Sequence, residues 1–212
     1  MASSIIHYAI TCELIKRRRF KDTGRLLLGV VLPDSGSYGN SHLKISVDDG
    51  LRKTYDFDAY REMFSSLMKE DDLYLGYYLH LVQDVVYRHF MYDKYHWNPH
   101  IPGNVEKLHR DYEIGNYYVV RKYDLKNEIQ IPEGFEHEPI NRICTFDPDG
   151  LADRMNSYFI PVEKDDIFFF TKEMTDEYIA EAVEYCEREL DNIDDPSKCI
   201  DRYKVAWNNR PQ

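Results

Sequence analysis

The chain has 212 residues, 31% of them charged and 43% hydrophobic, which is enough for one sizeable core and too apolar for a disordered segment. Its formal charge of −11 disfavours nucleic acid as a partner, because such polyanions are held by Lys and Arg that neutralise their phosphates. No apolar run reaches membrane-spanning length, no cleavable secretory signal is expected, and the four cysteines (Cys12, Cys144, Cys186 and Cys199) lack CxxC spacing, so reduced thiols in a cytoplasmic protein with one domain over 1–212 are expected.

After Ser3-Ser4, the residues Ile5, Ile6, Ala9, Ile10 and Leu14 recur at helical spacing and predict a first helix that carries His7. It leads into Lys16-Arg17-Arg18-Arg19, which reads as a solvated face or a partner of the helix dipole. Thr23 to Leu32 continues as an apolar stretch that stops at Pro33. Asp34 therefore falls at the end of a buried element, DSGSYGN (34–40) is a loop, and His42 lies just beyond it. Phe57, Tyr60, Phe64, Leu67 and Met68 predict a helix after Asp56, with Asp71-Asp72 as cap candidates for the next one.

That next segment, Leu75 to His89 (LGYYLHLVQDVVYRH), is apolar on nearly every face: Leu75, Leu79, Val82 and Val86 make one stripe, and Tyr78, Leu81 and Val85 widen it. Inside it His80 and Asp84 stand four residues apart and so share a helix face. Gly76, one turn earlier on that face, leaves room for something to approach. A desolvated imidazole and carboxylate must be hydrogen-bonded, charge-paired or bound to a metal.

A second pair of the same kind, His109 and Glu113, lies in a helix predicted after Asn104 as N-cap, with Asn116 on the same face. Between the two helices, Tyr95 to Gly103 reads as a loop carrying His96 and His100. From Glu128 to Asp166, a stretch that includes His137, prolines and glycines predict irregular structure with a short strand or two, and Thr175 to Leu190 then forms an amphipathic helix with an acidic outer face. The expected fold class is all-α: a mainly helical bundle whose core spans about 1–126, followed by an irregular C-terminal segment and a terminal helix.

Two helices that each offer an imidazole and a carboxylate one turn apart are the usual way a bundle builds a metal site. Imidazole nitrogen with carboxylate oxygen suits zinc, and also iron, manganese or nickel. His89 is nine residues after His80, so at about 100° per residue an unbroken helix turns it to the opposite side. The competing reading is a non-catalytic helical interaction protein, in which His80, Asp84, His109 and Glu113 form a buried polar network without metal.

The ordered series His7, Pro33-Asp34, His42, GYYLHLVQD ending at Asp84, His89, and His109 with Glu113 resembles the zinc-dependent phospholipase C family, an all-α fold related to the single-strand-specific zinc nucleases. The resemblance implies a metal-dependent hydrolase, most specifically a phosphoesterase using metal-activated water, with His7, Asp34, His42, His80, Asp84, His109 and Glu113 as metal ligands. Asp34, His42, His80 and Asp84 would form one site, and His109 with Glu113, helped by Asp84 or His89, a second, giving one to two ions in all. Asp34 would also act as the catalytic carboxylate that orients the water. A small soluble phosphoester is the expected substrate, since an acidic chain without a basic amphipathic helix approaches phospholipid poorly. The same ligands would also serve a metal hydrolase of another bond, such as pyrophosphate or amide.

Overall fold

In a computed structural model that describes residues 2–162 and 166–208, the chain is mainly helical with a small three-stranded antiparallel sheet. Helix α1 (Ser4–Arg17) packs on α2 (Thr23–Val31), which the Asp22 carboxylate caps by accepting from the Arg25 amide. Pro33 ends α2 in a tight 3-10 turn over Leu32–Ser35, and a four-residue helix α3 (Tyr38–Ser41) follows. Then come β1 (Lys44–Val47), β2 (Arg52–Tyr55), α4 (Phe57–Glu70) and the central helix α5 (Asp72–His89).

Asp56 and Asp71 cap α4 and α5 through the Ala59 and Leu73 amides, at 3.2 and 2.9 Å. Fifteen of the eighteen residues of α5 are buried, because α1, α2, α4 and α8 all pack on it. Its apolar character on every face follows from that position. The remaining elements are α6 (Asn104–Lys122), α7 (Pro148–Ser157), α8 (Lys172–Asp191) and β3 (Trp207–Asn208). Asn104 is the first residue of α6, with left-handed Gly103 (φ 83°) as its N-cap, so the cap falls one residue earlier than expected.

Helices α2 and α5 pack backbone against backbone. A Cβ built on Gly29 would lie 2.1 Å from the Leu73 carbonyl oxygen, and one on Gly76 would lie 2.2 Å from that of Leu26. What approaches Gly76 is therefore the backbone of α2, and two glycines facing opposite ways let the helices meet main chain to main chain.

The sheet lies elsewhere than the sequence suggested. Among the described residues, 128–166 holds the helix α7, which was not expected there, and in place of a strand only an isolated bridge between Phe146 and Gly36, while the strands are β1, β2 and the late β3. The hairpin turns through Asp48, Asp49 and Gly50 at φ 51°, 54° and 87°, conformations that Asp and Gly tolerate best, and this Asp-Asp-Gly turn signal is one that the sequence reading missed. The irregular C-terminal segment is tied down by Asp111 of α6, whose carboxylate accepts from the backbone amides of Phe168, Phe169 and Phe170 at 2.7, 2.8 and 2.9 Å. All four cysteines are free thiols, and among the described residues no helix is long and apolar enough to cross a membrane.

Candidate metal centre

Five side chains from four segments meet against the first two turns of α1: His7 from α1, Asp34 from the turn after α2, His42 at the end of α3, and His80 and Asp84 from α5. The three histidines and Asp84 are fully buried, and the Asp34 side chain is 4% exposed. His42 Nε2 lies 3.0 Å from His80 Nε2, 3.7 Å from Asp34 Oδ1 and 3.6 Å from Asp84 Oδ2. His80 Nε2 is 3.9 Å from Asp34 Oδ1, and His7 Nε2 is 3.5 Å from Asp84 Oδ1. Donor atoms that share one ion at bonds of about 2.1 Å stand roughly 3.0–3.4 Å apart, so the His42–His80 pair has that spacing and the other four distances, 3.5–3.9 Å, are a few tenths of an ångström wider.

The polarity of the surrounding hydrogen bonds decides which ring nitrogen faces the centre. His80 Nδ1 is 2.7 Å from the Val30 carbonyl oxygen, which can only accept, so Nδ1 carries the proton and Nε2 a lone pair. Ser41 Oγ donates to the Ser37 carbonyl at 3.1 Å, which leaves it to accept from His42 Nδ1 at 2.9 Å. His7 Nδ1 donates in the same sense to Gln83 Oε1 at 2.8 Å. Each imidazole is thus anchored at Nδ1 to an oxygen outside the cluster and turns Nε2 inward, the arrangement in which a protein prepares histidines as metal ligands.

The carboxylates are held likewise. Ser4 Oγ donates to Asp34 Oδ2 at 2.6 Å and the Tyr55 hydroxyl to Asp84 Oδ2 at 3.0 Å, while Asp34 Oδ1, Asp84 Oδ1 and His7 Nε2 are buried without a hydrogen-bond partner. Unsatisfied buried polar atoms are uncommon, and a cation among these side chains would satisfy them; His7 Nε2 and Asp84 Oδ1, 3.5 Å apart, also pair with each other when His7 is protonated.

Charge points the same way. Burial, reinforced by His80, pushes His42 down to about 3, and burial, reinforced by His7, does the same to His80. Neither imidazole then carries a second proton near neutrality, and two lone pairs face one another across 3.0 Å. Burial opposes a charge on His7 too, but the Asp84 carboxylate outweighs it and raises His7, while Asp84 is held well below the usual carboxylate range despite its own burial. With His7 giving up its extra proton on binding, three neutral imidazoles and two carboxylates would balance one divalent ion. The two triads that could hold an ion, His7-Asp34-His80 and His42-His80-Asp84, share His80, whose one inward lone pair can serve a single ion.

The structure does not bring His109 and Glu113 to this centre. Both are exposed on α6, where Glu113 pairs with Arg110 at 2.9 Å, so the expected second ligand pair lies at the surface, apart from these five side chains. The face of α6 that turns inward instead carries Leu108, Asp111, Tyr112 and Asn116. His89 also stays away: α5 runs unbroken to His89, whose Nδ1 faces Asp93 at 2.5 Å and whose Nε2 donates to the Val205 carbonyl at 2.9 Å. His96, His100 and His137 are exposed, and Lys16, Arg17 and Arg18 make surface ion pairs with Glu13, Glu187 and Asp191.

Of the supporting residues the sequence reading missed, Gln83 had a signal, since it is a polar side chain beside Asp84 in an apolar helix. Ser4, Ser41 and Tyr55 had none. No family model, curated protein sequence or solved structure matches this chain.

Proposed function

We propose that the protein is a metal-dependent phosphoesterase that acts on a small soluble phosphoester, with Asp34, His42, His80 and Asp84 holding one divalent ion and His7 completing the shell. The observation that carries this reading is the pair of inward-facing Nε2 lone pairs on His42 and His80, 3.0 Å apart and flanked by two carboxylates. A bound zinc, iron, manganese or nickel ion supplies Lewis acidity, which polarises a phosphoryl oxygen and makes water a nucleophile near neutral pH. The order of ligands, from His7 through Pro33-Asp34 and His42 to the HxxxD helix, resembles that of zinc-dependent phospholipase C and supports the choice of phosphate esters.

Asp34 is the member of the set with residual exposure. Its Oδ2 accepts from Ser4, so its Oδ1 would orient a water and take its proton only where His42, His80 and Asp84 hold the ion without it. Val30, Ser41 and Gln83 keep the three imidazoles in their donor tautomers, and Tyr55 holds Asp84.

A second reading is a closed structural metal site, favoured by the near-complete burial of all five side chains. The test is metal content by mass spectrometry on wild type and on a His80→Ala, Asp84→Ala double variant, followed by assay of the loaded wild type on bis(p-nitrophenyl) phosphate and a panel of phosphomonoesters. Metal near one equivalent, lost in the variant, with hydrolysis above the free-metal rate is the expected result. Metal without turnover establishes the structural site, and no metal after reconstitution overturns both readings.

A further inference from the structure

The residue between His80 and Asp84 that turns to α1 is Gln83, fully buried and polar. Its side chain closes a ring of hydrogen bonds with α1. The Thr11 hydroxyl donates to the His7 carbonyl at 3.0 Å, one turn back on the same helix. That carbonyl can only accept, so the Thr11 oxygen is left to accept in turn, and it does so from Gln83 Nε2 at 3.4 Å. The amide orientation is thereby set: Oε1 is the arm that meets His7, and Oε1 requires a proton on His7 Nδ1, 2.8 Å away. His7 Nε2 then points at Asp84 Oδ1, 3.5 Å off, with no hydrogen-bond partner of its own.

We infer that Gln83, oriented by Thr11, is a positioning residue that fixes His7 as an inward-facing donor of the metal centre. This rests on the metal reading above and adds to it the determinant of the ligand from α1. The direction of the ring originates in a backbone carbonyl of α1, which has no alternative polarity, so the tautomer of His7 is set by the fold and not by the ligand. A Gln that merely satisfied its own amide would serve equally well with Oε1 and Nε2 exchanged. The Thr11–His7 carbonyl bond opposes that exchange, because the hydroxyl would have to give up the carbonyl in order to donate to Oε1.

The test compares Gln83→Met, which keeps the length and removes the acceptor, with Gln83→Glu, which keeps an acceptor facing His7 Nδ1 and loses the donor to Thr11. Zinc affinity is measured by competition with a chromophoric chelator, with thermal unfolding of the metal-free proteins as a check on folding. Gln83→Met should weaken zinc binding about 10–100-fold, the usual size of an outer-shell loss, and Gln83→Glu should stay within about threefold of wild type. Because a buried Glu can itself impair folding, Thr11→Val is the companion variant, and it should weaken zinc several-fold with the fold intact.

Wild-type zinc affinity shared by folded Gln83→Met and Thr11→Val overturns the inference while leaving the metal reading in place. Equal losses in Gln83→Met and folded Gln83→Glu also overturn it, because they show that any change at Gln83 disturbs the site. Absence of zinc binding in wild type overturns the metal reading itself.

Discussion

Substituting Gly76 by alanine sets a general rule against a particular contact. In a helix interior this change is worth about 1 kcal/mol of stabilisation from propensity alone. At Gly76 the new methyl would stand 2.2 Å from the Leu26 carbonyl oxygen and 3.0 Å from the Val30 amide, so α2 and α5 must separate by about 1.2 Å to reach an ordinary 3.4 Å contact. The clashing atoms are main chain and cannot rotate aside. Overpacking of this kind costs roughly 1–3 kcal/mol and more when backbone must move, so the net expectation is a loss of about 2 kcal/mol. For a chain of this size that is a fall in Tm of roughly 4–8 °C.

The same separation reaches the site, since α2 supplies the Val30 carbonyl that holds His80 Nδ1 at 2.7 Å and leads into Asp34, while α5 carries His80 and Asp84. Zinc affinity should therefore drop at least about tenfold. Gly29→Ala, whose Cβ meets the Leu73 carbonyl at 2.1 Å, should behave alike, and the double variant should cost less than the sum, because helices already apart accommodate both methyls. The assays are thermal unfolding of metal-free protein by circular dichroism and zinc competition. A Gly76→Ala variant as stable as wild type, or stabilised by its helix propensity, refutes the close approach and the argument built on it.

His109→Ala and Glu113→Gln, both on the exposed face of α6, should leave metal content and affinity within error of wild type, whereas His42→Ala should abolish tight binding. In metal-free protein, His42 and His80 titrate near 3 when folded against 6.5 when exposed. Between those values the unfolded chain binds more protons, so urea stability should fall as pH is lowered from about 6.5, by roughly 1.4 kcal/mol per pH unit for each group; His7, raised on folding, opposes the fall near neutrality. Zinc at saturating concentration should flatten this dependence, and a profile unchanged by zinc would refute the assignment of these histidines. Asp111→Asn replaces an acceptor for the Phe168, Phe169 and Phe170 amides with a donor, so about 2 kcal/mol should be lost. Hydrogen exchange should then quicken at those three amides before it does in α5.

Periodicity, caps and breakers are local, and they determined the helices: α1, α2, α4, α5 and α8 follow from apolar spacing, from Asp56 and Asp71 as caps, and from the stop at Pro33. The His80–Asp84 spacing on a helix apolar all round was equally local, as was the argument that such a pair needs a partner. His109 and Glu113 have the same four-residue spacing, yet they face solvent, because spacing places two residues on one face and says nothing of which way that face turns. Only the packing of α5 among α1, α2, α4 and α8 put His80 and Asp84 inside, and only the packing of α6 put Leu108, Tyr112 and Asn116 inward and His109 out. The addition of β3 to the β1–β2 hairpin, the meeting of α2 and α5 at Gly29 and Gly76, and the ring through Thr11 and Gln83 all join residues far apart in the chain, and such contacts leave no periodic trace in a sequence.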